Sequence, residues 1–140
     1  MKHELLYTSL AVREMDANDL SLLLAQSREK NANLGITGLL VYGKREFIQL
    51  LEGNKKDIFD LYDTIVKDER HQQVKLLWDG EIEDRSFRDW SMAFLNIEDI
   101  DQDKLAGYSH FLQQGIPSLH LTGSKSTGRR LLIDLRDEFL

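Results

Sequence analysis

A strand that buries one face has little use for a carboxamide there. Yet Gln49 stands at the centre of Phe47-Ile48-Gln49-Leu50-Leu51, where alternation puts it on the face of Phe47 and Leu51. Left unpaired in a core, such a group costs about 1–3 kcal/mol, so it demands a partner. Tyr7 makes the same demand from an earlier strand-like segment, and Asn31 from the end of a helix-like one. Taken singly, each is satisfied by a neighbouring side chain or loop backbone. If all three point into one layer between sheet and helices, they form a polar triangle in an apolar pocket. A planar heterocycle with hydrogen-bonding edges would satisfy it, with Ile36, Phe47 and Ile65 as walls. Asp68, Arg70 and His71 follow a second helix. They either hold a polar or anionic extension of that ligand or form a solvated loop.

The elements that must position these groups follow from periodicity. Residues 3–9 alternate as a strand, with Tyr7 on the face of Leu5 and Ser9. Leu20, Leu23, Leu24 and Ser27 recur at helical spacing behind the capping candidates Asp16, Asn18 and Asp19, and Gly35 follows the helix end. Residues 36–42 and 47–51 read as a hairpin joined by a glycine-containing link, Gly43-Lys44-Arg45-Glu46. Asn54 and Asp57 are spaced as a capping box for a second helix that carries Ile58, Leu61, Tyr62, Ile65 and Val66 on one stripe. Two further strands are expected at 74–78 and 87–95; alternation along the second puts Trp90 and Met92 on one face and leaves open which lies near Gln49. The order β-α-β-β-α-β-β predicts an α+β, ferredoxin-like sheet with one added strand and two helices on one face. A helical tail on the other face is expected from Leu105, Tyr108, Phe111 and Leu112, then Leu131, Leu132, Leu135 and Phe139.

Composition narrows the chemistry. The 140 residues fit one domain, and the absence of cysteine removes disulfides, thiol catalysis and thiolate metal sites. A net charge of −6, from 18 basic against 24 acidic residues, argues against direct nucleic-acid binding. No apolar run approaches the roughly 20 residues that span a bilayer, and the start of the chain has no leader-like apolar region, so a cytoplasmic protein is expected. Gly123-Ser124-Lys125-Ser126 lacks the spacing of a phosphate loop. Asp99, Asp101 and Asp103 open like a calcium loop, but Lys104 and His110 occupy its essential glycine and glutamate positions. The histidines at 3, 71, 110 and 120 are not paired at metal-ligand spacing, so no metal site is expected. With no nucleophile–base pair either, an enzyme is not expected.

The motifs Tyr7-x-Ser9, Asn31 with Gly35-Ile36-Thr37-Gly38, Phe47 to Gly53, Asp68-Glu69-Arg70-His71 and Arg85-x-Phe87-x-x-Trp90-Ser91-Met92 occur in order over residues 3–97. Together they resemble the BLUF domain, a blue-light sensor that binds FAD. The resemblance implies a flavin between the two helices, with Asn31 at its carbonyl edge and Gln49 bridging the Tyr7 hydroxyl and the flavin. Ile36, Phe47 and Ile65 would flank the ring, and Asp68, Arg70 and His71 would contact the flavin side or ribityl chain. Tyr7, Ser9, Gln49, Trp90 and Met92 fall at the family's photoactive positions. In that family the excited flavin draws an electron and a proton from the tyrosine through the glutamine; the pair recombines and the glutamine stays rearranged.

Residues 1–97 are thus expected to form the photosensory domain and 98–140 a helical extension for output. The report would go to a protein partner, with self-association into a homo-oligomer. A light-independent ferredoxin-like interaction module is the alternative.

Overall fold

The computed structural model describes residues 2–100 and 125–140, with side chains of the last helix from Arg129 onward. Its elements are β1 (Lys2–Ala11), α1 (Ala17–Leu34), β2 (Thr37–Gly43), β3 (Glu46–Gly53), α2 (Lys55–Val66), β4 (His71–Ile82), β5 (Ala93–Asn96), a 3-10 turn (Ile97–Asp99) and α3 (Lys125–Phe139). The strands form one sheet in the order β4-β1-β3-β2-β5. Only the β2–β5 pairing is parallel among them. This is the expected α+β sheet with an added edge strand.

Alternation divides the core into two layers. Leu5, Tyr7, Leu40, Tyr42, Phe47 and Leu51 lie beneath α1 and α2. Leu6, Leu39, Val41, Ile48 and Leu50 face Leu131, Leu132 and Leu135 of α3. Burying each of those three leucines is worth about 1.5–3 kcal/mol, more than a typical exposed ion pair, so apolar contact holds α3 down. The expected helix around Leu105–Leu112 lies outside the described residues.

Local chemistry explains most element ends. Asp16 and Asp19 form a reciprocal capping box on α1, and Gly35 ends that helix at φ 66°, a left-handed conformation suited to glycine. Asn54 caps α2 by accepting from the Lys56 amide, in place of the expected box with Asp57. Gly38 is required by proximity: a Cβ there would sit 1.9 Å from the Leu50 carbonyl oxygen. The hairpin differs from expectation. Gly43 belongs to β2, and the turn is made by Lys44 and Arg45 at φ 51° and 69°. Arg45 secures this uncommon geometry by donating to the carbonyls of Ala11 and Val12 at 2.8 and 3.0 Å.

The expected strand over 87–95 is corrected. Only Ala93–Asn96 is strand, and the residues before it turn, with Trp90 N donating to Phe87 O. Alternation therefore does not apply to Trp90 and Met92. Met92 is 1% exposed and Trp90 37%. β4, conversely, begins earlier than expected, at His71.

Candidate functional site

Strand register brings the central pair together. Tyr7 on β1 is the direct cross-strand partner of Gln49 on β3, and Gln49 is in turn opposite Leu40 on β2. The Tyr7 hydroxyl donates to Gln49 Oε1, while Gln49 Nε2 donates to Met92 Sδ at 3.3 Å, a weak acceptor. The glutamine thus lies between a phenol and a thioether with both ends of its amide engaged. Burial, and to a smaller extent Tyr62 and Asp68, pushes the Tyr7 phenol well above the ordinary tyrosine range, so it keeps its proton and remains a donor.

A cavity of about 210 Å³ opens beside this pair, between the sheet and the two helices. Tyr7, Asn31, Phe47, Gln49, Ile65 and Asp68 are among its lining residues, together with Arg70 and His71. Sites that enclose a whole drug-sized ligand run to roughly 300–1,000 Å³, so this void takes a ring system and leaves the rest of a larger ligand outside. Its mouth carries the charge. Arg70 Nη2 lies 2.6 Å from Asp68 Oδ2, and Arg70 Nη1 donates to Gln26 Oε1 at 2.9 Å. The hydrogen bond from Arg70 is the main reason the Asp68 carboxyl is held below the usual carboxylate range. His71 Nε2 donates to the Ile65 carbonyl, and its Nδ1 lies 2.8 Å from Ser9 Oγ, so Ser9 acts by fixing an imidazole at the cavity wall.

Asn31 lies in the last turns of α1 and is buried. Its Nδ2 donates to the Ser91 carbonyl at 3.0 Å. Its Oδ1 has no hydrogen-bond partner among the described residues. An unpaired acceptor on the cavity wall, carried by a buried residue beside a phenol–carboxamide pair and apolar Phe47 and Ile65, fits the edge of a planar heterocycle that both donates and accepts. The residues present therefore fit a flavin.

Two expected residues sit differently. Ile36 is fully buried in the same core layer but outside the cavity lining, and Trp90 is partly exposed and also outside it. Of α1, sequence reasoning named Asn31 and missed Leu23, Gln26, Ser27 and Lys30, which line the cavity beside it. The signal that marks this wall is that Ser27 and Asn31 continue the helical stripe of Leu20 and Leu24 with polar side chains, while the exposed Gln26 and Lys30 flank that stripe.

Missed too was Glu52, 0% exposed on the other face of β3. Its carboxylate accepts from the amides of Ser86 and Phe87 at 2.6 and 2.9 Å and from Thr37 Oγ1 at 3.1 Å. It thereby anchors the segment that leads to Met92.

A sheet-and-helix layer enclosing a ring-sized void with polar edges defines a heterocycle-binding module. Residues 3–93 match the family described as sensors of blue-light using FAD, and the chain belongs to that family. The beta subunit of photoactivated adenylate cyclase from Euglena longa is 37% identical over 90 residues, 64% of this chain and 10% of that protein. The chain thus spans about a tenth of the length of the curated relatives it matches. Among solved structures, the ground state of BlsA superposes with a TM-score of 0.70 at 32% identity, covering 82% of this chain and 74% of that one. BlrP1 of Klebsiella pneumoniae, in a structure with FMN and cyclic diGMP, gives a TM-score of 0.68 at 31% identity over 74% of this chain and 28% of that one. None of the described helices is long and apolar enough to cross a membrane.

Proposed function

We propose that this chain is a blue-light photoreceptor that holds FAD non-covalently and signals, without catalytic turnover, through light-driven electron and proton transfer between Tyr7 and the flavin by way of Gln49. When bound, the oxidised flavin supplies blue-light absorption and an excited state able to oxidise a nearby phenol. Asn31 orients the ring edge through its free acceptor, Phe47 and Ile65 cover its faces, and Asp68, Arg70 and His71 hold the polar chain that leaves the cavity. The observation that carries this reading is the contact between the Tyr7 hydroxyl and Gln49 Oε1 beside the cavity. A proton leaving the phenol has its acceptor in place, and the electron and proton that leave Tyr7 return to it. What persists is the orientation of an amide. A carboxamide presents a donor on one side and an acceptor on the other, so reversing it changes the hydrogen-bond pattern at no cost in charge.

Reversal of Gln49 would also turn its acceptor toward Met92 Sδ and remove the donation made there. Met92 immediately precedes β5, while Ser86, earlier in the same segment, meets α3. Arg129 donates to Ser86 Oγ at 3.0 Å and to Glu4 Oε2 at 3.1 Å, and Arg136 donates to the Ser86 carbonyl. Output therefore runs along this segment and β5 into residues 98–140, which act as the extension that meets a protein partner, a second copy of the chain included. The decisive experiment is spectroscopic. The purified protein is expected to be yellow, to shift slightly to the red in blue light and to recover in darkness. A colourless protein that cannot be reconstituted with FAD would sink the reading in favour of a light-independent interaction module. Reconstitution with FAD, FMN and riboflavin tests the choice of flavin, and light scattering of dark and illuminated samples tests self-association.

A further inference from the structure

We infer that Arg28, outside the cavity and absent from the motifs that mark the site, is a positioning residue that holds Met92 against Gln49. The segment between β4 and β5 has no strand ladder over residues 83–92, so its course near the site is set by discrete contacts. Three consecutive carbonyls are tied down. Trp90 O accepts from the Gly38 amide at 3.2 Å, Ser91 O from Asn31 Nδ2 at 3.0 Å, and Met92 O from Arg28 Nε at 3.0 Å.

These anchors are not equivalent. The first is part of the backbone, and the second belongs to a side chain that lines the cavity. Arg28 alone combines a charged donor with a place on the solvent side of α1, and it bonds the residue whose sulfur meets Gln49. A hydrogen bond from a charged donor is stronger than a neutral one. Methionine needs such a restraint, because its flexible side chain fills space without specifying one position. With the carbonyl of Met92 held, the thioether stays within reach of Gln49 Nε2 and favours the dark orientation of the amide.

The test uses the whole 140-residue chain reconstituted with FAD and labelled with 13C at the methionine methyls, in wild type, Arg28→Met and Arg28→Lys. Arg28→Met keeps an apolar stem without a donor; Arg28→Lys restores a charged donor of similar reach. Arg28→Met is expected to shift or split the dark Met92 methyl resonance and to slow dark recovery of the flavin spectrum by roughly threefold to tenfold. Arg28→Lys is expected to return both toward wild type. A wild-type Met92 resonance in Arg28→Met, a change in only one of the two readouts, or failure of Arg28→Lys to restore them would overturn the assignment. The kinetic readout rests on the photoreceptor reading. A wild-type protein with no light-induced shift would refute that reading, and the dark Met92 resonance alone would then decide the role of Arg28.

Discussion

Both faces of the sheet bury polar side chains, and the two differ in where those groups find their partners. On the α3 face, Glu4 and Glu52 are 1% and 0% exposed, more deeply buried than Gln49 at 5%. Glu4 accepts from Trp78 Nε1 at 2.8 Å and from Arg129, and Glu52 takes two backbone amides and a hydroxyl. These carboxylates are answered within the chain and fasten one segment to another. On the α1–α2 face, Tyr7, Gln49 and Asn31 border a cavity, and Asn31 keeps an acceptor in reserve. Burial alone therefore does not mark a site. Hydrogen-bonding capacity left over beside a void does.

The comparison is most exposed to test at Gln49. Gln49→Leu fills similar space without donor or acceptor, so it is expected to keep flavin and abolish the light-induced red shift; normal photocycling in that variant would erase the distinction between the faces. Tyr7→Phe should likewise bind flavin and lose most of the normal photoproduct, measured as transient absorption after a blue pulse. An unchanged yield would contradict Tyr7 as the donor.

The same tyrosine predicts a pH effect. Its folded-state pKa is raised, so the native protein keeps a proton that the unfolded chain releases as pH climbs past about 10. Stability should therefore fall with rising pH above that point, and denaturant titrations of Tyr7→Phe should show a shallower fall.

Glu52→Gln probes the α3 face. An amide nitrogen placed near the Ser86 N–H replaces an acceptor with a donor, so the variant should lose about 1–3 kcal/mol in chemical denaturation. The initial red shift of whatever protein folds should remain. Loss of the shift with stability intact would mean that the carboxylates of the α3 face belong to the photoactive site after all.

Much of this was legible in the chain. Two-residue alternation around Gln49 and three-to-four-residue spacing in both helices are local properties, and they recovered the order of elements, the two-layer arrangement and the residues of the polar triangle. The strand expected over 87–95 failed for a long-range cause. The segment around Phe87–Met92 has apolar residues at strand-like intervals, yet its backbone is spent on turns, Glu52 and α1 rather than on a ladder. Periodicity cannot show that, because the competing partners are 35, 60 and 64 residues away in sequence. Ile36, buried in the same layer but not among the cavity-lining residues, shows a related point: being apolar and near the site specifies burial but not which wall of a core a side chain occupies.

Element order, family and the chemistry available to Tyr7, Gln49 and Asn31 were written in the residues themselves, because side-chain type and strand or helix period travel with the chain. Tertiary structure alone decided that Met92 rather than Trp90 meets Gln49, and that Arg28 reaches the Met92 carbonyl. It also decided that Glu52 is an anchor on the opposite face rather than a member of the site. Those outcomes depend on which distant donors and acceptors pack within hydrogen-bonding distance, and only the assembled sheet, helices and connecting segment bring them there.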